Sequence, residues 1–290
     1  MESDLANFAN EDDATEVRTR FAPSPTGRLH RGHALSASLN KRYAEMHGGT
    51  YLLRIEDIDP SRRRPDVIQD ILGDLAWLGL AGEEKVLFQS HRMTAYAEAI
   101  TKLKARGLLY PCFCTRSELA VAGMKDGVYP GTCRHLSTDE RAKRKAEQRP
   151  FAVRLDMAAA TALLGKLTWR DLERGTRQAD PGRFGDIVVV RKETPTSYHL
   201  ACVVDDAHQR INPVIRGEEF FGQTDIQVLL ATLLDLPVPR YWHHPMVLEE
   251  DGSPLSKSKG SASLADARAD GVGPNLLLGP FFEMSLPPLS

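Results

Sequence analysis

Arg20-Phe21-Ala22-Pro23-Ser24-Pro25-Thr26-Gly27-Arg28-Leu29-His30-Arg31-Gly32-His33 is the stretch that decides the reading of this chain. Before it, Val17 to Phe21 has the texture of a short strand. After it, Ala34 to Met46 reads as a helix stopped by Gly48-Gly49. A Pro/Gly loop running from a strand into a helix offers backbone N–H groups and the positive end of the helix dipole, which suits a phosphate. Gly32 has no Cβ and lets a ligand come close. His30 and His33, three apart at the first turn, can point the same way and donate to phosphate oxygens. The plainer alternative is a proline-rich turn capping a helix, with two surface histidines.

Working outward, Thr50 to Ile55 reads as a buried strand followed by Glu56-Asp57-Ile58-Asp59. Residues 17–55 then form one strand–helix–strand unit with the loop at its first turn. The acids stand past the carboxyl end of the second strand, where open parallel α/β sheets bind ligands; a polar turn with a helix cap is the alternative. Pro65 to Leu80 keeps the helical period through Val67, Ile68, Ile71, Leu72, Leu75 and Leu78. His91 to Arg106 reads as a further helix, with Ser90 as N-cap, Gly107 as stop, and Tyr96, Ile100 and Leu103 toward the core.

From Leu108 to about Gly185 the texture changes. Tyr110-Pro111-Cys112-Phe113-Cys114 precedes a loop and then Val128-Tyr129-Pro130-Gly131-Thr132-Cys133-Arg134-His135. Three thiols with a Cys-x-Cys start suggest structural zinc, which takes four ligands in a tetrahedron. His135 and Tyr129 are both candidates for the fourth, and three reduced cysteines without metal are the alternative. Ser137-Thr138-Asp139-Glu140 is a capping box that opens a charged helix to about Gln148. Its Arg141, Lys143, Arg144 and Lys145 suit a solvated face, or a surface for nucleic-acid phosphates.

Asp186 to Arg191 and Tyr198 to Val204, around a turn at Thr194-Pro195-Thr196, read as a hairpin that places Cys202 on an apolar side. Asn212 to Ile215 reads as a strand ending in Arg216-Gly217-Glu218, with Arg216 past its carboxyl end and able to grip a carboxylate bidentately. Gly222 to Leu236 reads as an apolar helix. Met246-Val247-Leu248 leads into the turn signal Glu249-Glu250-Asp251-Gly252, then Ser253-Pro254-Leu255-Ser256-Lys257-Ser258-Lys259. Leu276 to Ser290 looks irregular.

Composition sets outer limits. The chain has 290 residues, 42% apolar and 26% charged, as expected of a globular protein with one large or two medium domains. No apolar run reaches the ~20 residues of a membrane span, and the N-terminus lacks a signal-peptide pattern, so a cytoplasmic protein with no membrane partner is expected. Residues 1–16 carry six acids (Glu2, Asp4, Glu11, Asp12, Asp13, Glu16) and no base, the pattern of a disordered acidic tail. The net charge of −2 therefore hides a mildly basic remainder.

The run from Arg20 to His33 resembles the first signature of class I aminoacyl-tRNA synthetases, in the form used by the glutamyl and glutaminyl enzymes. Ser253 to Lys259 resembles the second signature, Lys-Met-Ser-Lys-Ser. It departs from that pattern at the first lysine, which is Pro254 here, and keeps the second as Lys257. The resemblance covers roughly residues 17–260 and implies a doubly wound parallel α/β sheet of the class I synthetase, Rossmann-like type. It implies a catalytic domain at 17–107 and 186–290, interrupted at 108–185 by a zinc-bearing α+β insertion that resembles an acceptor-binding domain.

The implied chemistry is adenylation of L-glutamate by ATP with Mg²⁺. His30, Gly32, His33 and Lys257 would bind the nucleotide, with His30, His33 and Lys257 catalytic. Arg20, Phe21, Ala22, Pro23, Ser24, Glu56, Tyr198 and Arg216 would hold glutamate, Glu56 at the ammonium group and Tyr198 packed on the substrate. The metal set becomes Cys112, Cys114, Tyr129 and Cys133, because family members with this Cys-x-Cys, Tyr-x-x-x-Cys pattern use the tyrosine oxygen. Too few residues follow Lys257 for an anticodon-binding domain of on the order of 100 residues. That matches the short members of the family, monomers that glutamylate queuosine in the anticodon of tRNA(Asp). A shortened enzyme charging the tRNA 3′ end is the alternative within the family. A non-catalytic RNA-binding zinc module is the alternative outside it.

Overall fold

The computed structural model describes residues 16–121, 127–247 and 262–289. β1 (Arg18–Phe21) lies parallel to β2 (Thr50–Ile55) with Arg20 opposite Leu52, and α1 (Arg31–Met46) connects them. Gly49 closes that crossover against the start of β1: a Cβ there would lie 2.0 Å from the Val17 carbonyl oxygen. α1 begins earlier than its apolar pattern suggests and takes Gly32 and His33 into its first turn. The reason is a reciprocal cap. His30 Nδ1 accepts from the Gly32 amide at 3.2 Å, and His33 Nδ1 accepts from the His30 amide at 3.1 Å.

α2 (Pro65–Trp77) buries Val67, Ile68, Ile71 and Leu75, and β3 (Leu87–Phe88) extends the first sheet in the order β1-β2-β3, all parallel. α3 (Met93–Ala105) is not capped by Ser90. That residue sits in a tight turn over Gln89–His91, and its amide donates to Asp57 Oδ1 at 2.8 Å.

β4 (Leu109–Cys112), α4 (Arg116–Val121) and α5 (Thr138–Ala146) follow, the last opened by the expected Ser137–Glu140 capping box. Next come β5 (Ala152–Leu155), α6 (Met157–Leu164), β6 (Thr168–Asp171), β7 (Gly175–Gln178) and β8 (Val188–Val190). β4, β5 and β8 make an antiparallel sheet. The remaining elements are α7 (Tyr198–His208), β9 (Val214–Gly217), α8 (Thr224–Leu233), β10 (Tyr241–His244), α9 (Leu264–Ala269) and α10 (Pro274–Phe282). β10 lies parallel between β6 and β9 in a sheet ordered β7-β6-β10-β9. A bridge between Arg18 and Asn212 brings the start of β9 beside β1. The parallel α/β architecture expected from the sequence is therefore present in two parallel runs.

Three local readings are corrected. Tyr198 to Val204 is helix, not the second arm of a hairpin. An apolar run of this length has no decisive period, and α7 is set by packing, with Leu200, Ala201, Cys202 and Val203 all buried. Arg216 lies within β9 rather than beyond it, because pairing with β10 continues to Gly217 opposite His244. Leu276 to Ser290 is not wholly irregular: α10 starts on Pro274 and buries Leu277, Leu278 and Phe281 against the core that also holds α1 and β2.

Candidate active site

The carboxyl ends of β1, β2 and β9 open on one cleft of about 1010 Å³. The candidate nucleotide and glutamate residues between positions 20 and 33 line it, as do Glu56, Tyr198 and Arg216. Lys257 and the rest of 253–259 lie outside the described residues.

At one wall stand His30 and His33, their rings 3.8 Å apart between centroids. Each uses Nδ1 to accept a backbone amide at the helix start, so the neutral rings carry their protons on Nε2. The cap that begins α1 thus also fixes the tautomer of both histidines.

Glu56 follows directly on β2, and its amide donates to the Pro23 carbonyl at 3.1 Å, tying the loop to the strand end. Its Oε1 is 3.3 Å from the Arg54 guanidinium and accepts from Cys202 Sγ at 3.1 Å, while Ser24 Oγ lies 3.5 Å from Oε2. Arg54, fully buried, also reaches Asp206 Oδ1 at 2.6 Å. Arg20 meets the same carboxylate, Nε to Oδ1 at 2.9 Å and Nη2 to Oδ2 at 3.3 Å. Burial would raise the Asp206 pKa, but the two guanidiniums outweigh it and hold it at about 2. Asp206 is therefore the anion that lets two arginines sit under the floor of the cleft. Burial, with Glu56 beside it, pushes the Cys202 thiol far above its ordinary range, so Cys202 is a donor and not a thiolate.

Arg216 has a different environment. It is 6% exposed, and its hydrogen-bond partners among the described residues are neutral: Gln227 Oε1 at 2.8 Å, Thr224 Oγ1 at 2.6 Å, His243 Nε2 at 3.3 Å and the Phe220 carbonyl at 3.4 Å. No carboxylate pairs with it among the described residues. A buried cation held only by dipoles is poised for an anionic ligand. Tyr198, at the start of α7, stands beside Phe220 with ring centroids 6.3 Å apart. Neighbouring His199 also lines the cleft; burial, with Arg216 near, lowers it to about 4 and keeps it neutral.

Away from the cleft, Cys112, Cys114 and Cys133 converge, their Sγ atoms within 4.8 Å of one another. Cys114 Sγ is 3.5 Å from Cys133 Sγ and 3.7 Å from Tyr129 Oη. Four ligands at tetrahedral zinc are about 3.8 Å apart for Zn–S bonds of ~2.3 Å, so the donor set fits a metal. Tyr129 is 5% exposed, whereas His135 is exposed and outside the cluster.

Sequence reasoning gave no role to Asp206, Thr224, Gln227, His243 or Asp171, and took Cys202 for core alone. Asp205-Asp206 within an apolar run was a usable signal, since buried acids require partners. Among the described residues no helix is long and apolar enough to cross a membrane.

The family described as tRNA synthetases class I (E and Q), catalytic domain, matches residues 16–283. The glutamyl-Q tRNA(Asp) synthetase of Symbiobacterium thermophilum is 38% identical over 275 residues, 90% of this chain and 84% of that protein. That of Rhodobacter capsulatus is 41% identical over 271 residues, 88% of this chain and 96% of its own length. The crystal structure of a glutamate tRNA ligase from Elizabethkingia meningosepticum, in complex with its amino acid, superposes with a TM-score of 0.71 at 28% identity. It covers 84% of this chain, which spans about half, 52%, of that longer protein.

Proposed function

This chain belongs to the class I tRNA synthetases of the glutamate and glutamine type, and from that premise we propose that it activates L-glutamate with ATP and transfers it to queuosine in the anticodon of tRNA(Asp). A carboxylate oxygen of glutamate attacks the α-phosphorus of ATP, the α–β phosphoanhydride bond breaks, and pyrophosphate leaves. A hydroxyl of the queuosine ring then attacks the activated carbonyl, and AMP departs. No covalent bond to the protein forms, so catalysis consists of positioning and charge stabilisation.

The observation that carries this reading is the pair of opposite charges on one cleft. Glu56, an anion held by Arg54, suits the substrate ammonium group. Arg216, a cation with no carboxylate partner among the described residues, suits the substrate side-chain carboxylate. Phe220 O is its longest contact at 3.4 Å and is the one a carboxylate would replace. Tyr198 packs on the substrate, and Arg20, anchored by Asp206, supports the loop Phe21-Ala22-Pro23-Ser24 that borders it. His30 and His33 donate from Nε2 to phosphate oxygens, Gly32 gives the backbone approach, and Lys257 supplies a further cation. Mg²⁺, bound with ATP, offsets phosphate charge.

Cys112, Cys114, Cys133 and Tyr129 would hold one structural zinc in the segment 108–185, between catalytic halves at 17–107 and 186–290. The queuosine acceptor is preferred to a tRNA 3′ end because the chain is 38% and 41% identical to two glutamyl-Q tRNA(Asp) synthetases over 84% and 96% of their lengths. The cytoplasm, where tRNA and ATP meet, is the expected place of action.

The test is ATP–pyrophosphate exchange without tRNA. Glutamate should support exchange, and glutamine should fail because Arg216 would lose its charged partner. Equal exchange with both amino acids would overturn the assignment of Arg216.

A further inference from the structure

Arg216 Nε donates to His243 Nε2 at 3.3 Å, and the Thr224 hydroxyl lies 3.0 Å from the same nitrogen. A guanidinium N–H can only donate, so the Arg216 Nε contact requires a bare His243 Nε2, and the Thr224 hydroxyl, which accepts from Arg216 Nη2, turns its own proton to the same nitrogen. His243 Nε2 must therefore be an acceptor. The opposite nitrogen, Nδ1, is 2.8 Å from Asp171 Oδ2 and donates to it. His243 and Asp171 are both 1% exposed, so no solvent intervenes. Burial lowers His243 to about 4 against the pull of Asp171, and the ring is neutral at physiological pH.

The carboxylate is itself held in one orientation. Asp171 Oδ1 accepts from the amides of Glu173 at 3.1 Å and Arg174 at 2.9 Å, so only Oδ2 faces the imidazole. We propose that Asp171 and His243 are positioning residues for glutamate recognition: Asp171 sets the tautomer of His243, which presents a bare nitrogen to Arg216 Nε and leaves the guanidinium directed at the substrate carboxylate. This rests on the assignment of Arg216 made above.

The arrangement has a sharp consequence for one isosteric change. In Asp171→Asn, the amide oxygen must stay where two backbone amides donate, which puts the NH₂ group against His243 Nδ1. The imidazole is then driven to carry its proton on Nε2, directly opposite the donors of Arg216 and Thr224. A substitution that barely alters shape thus reverses the polarity of the contact. His243→Gln keeps an acceptor near the position of Nε2 and removes the ring that transmits the reversal.

Two readouts test this. In protein labelled with ¹⁵N-histidine, with His243 identified by its loss in His243→Gln, the native ring should show the proton on Nδ1 and Asp171→Asn should move it to Nε2. In pyrophosphate exchange, Asp171→Asn should raise the KM for glutamate about tenfold or more while the KM for ATP stays within about twofold. His243→Gln should raise the glutamate KM less, and the double variant should behave as His243→Gln alone. A native proton on Nε2 overturns the proposal, even if Asp171→Asn fails to fold. So does an inverted tautomer with unchanged glutamate KM, or a rise in both KM values together. Absence of glutamate-dependent exchange in the native chain refutes the activity instead, and the tautomer still decides the geometry.

Discussion

Cys202 Sγ donates to Glu56 Oε1 at 3.1 Å, joining the second turn of α7 to the carboxyl end of β2. The bond joins positions 146 residues apart, so the hydrogen-bonded state of Glu56 depends on helix α7 as much as on its own strand. Cys202→Val should leave the fold intact and weaken glutamate binding about fivefold, the equivalent of ~1 kcal/mol for a weak S–H donor. Cys202→Ser should retain native binding. The glutamate KM in pyrophosphate exchange reads both, and a native value for Cys202→Val would show that Glu56 is held without the thiol.

Asp206 carries two buried arginines, and its loss should be felt in stability before activity. Asp206→Asn leaves Arg20 and Arg54 short of an anion and should cost about 3–5 kcal/mol at neutral pH, measured by urea unfolding. The pH dependence has a definite sign. The carboxyl is held at about 2 against an ordinary 3.8, so its stabilisation is complete above the ordinary value and is lost as pH falls toward 2. That part of the acid limb should flatten in Asp206→Asn, and an unchanged limb would contradict the pairing.

His199 contributes in a higher window. Burial lowers it from 6.5 to about 4, so the unfolded chain binds its proton first. Its stabilisation is complete above pH 6.5 and declines as pH falls toward 4. His199→Gln should reduce the slope of unfolding free energy against pH across that interval. An equal slope in the variant would mean that the ring is solvated.

Metal content tests the cysteine cluster. Protein purified without chelator should contain about one zinc per chain, and Cys114→Ser should lose it. Tyr129→Phe should weaken retention against a chelator, while His135→Ala, altering an exposed side chain outside the cluster, should not. The reverse pair of results would make His135 the fourth ligand.

Much of the site could be read from local spacing because its parts are local. The loop from Arg20 to His33, the acid after β2 and the Cys-x-Cys pair each lie within a few residues of the element that positions them. α7 could not be read in the same way, since Tyr198-His199-Leu200-Ala201-Cys202-Val203-Val204 is apolar without a period and its helix is decided by packing on α3 and α8. The supports of the cleft were hidden for a related reason. Arg20 and Asp206 are 186 residues apart, and Asp171, His243 and Arg216 meet only because β6, β10 and β9 are neighbours in one sheet. A sequence shows that a buried charge needs a partner; it takes the sheet order to say which one.

Transfer to the acceptor tests the central claim most directly. Labelled glutamate should pass to queuosine-containing tRNA(Asp) and not to the same tRNA with guanosine at that position. It should still pass after the 3′-terminal nucleotides are removed. Charging of tRNA(Glu) that disappears with its 3′ end, with no transfer to queuosine, would contradict the account.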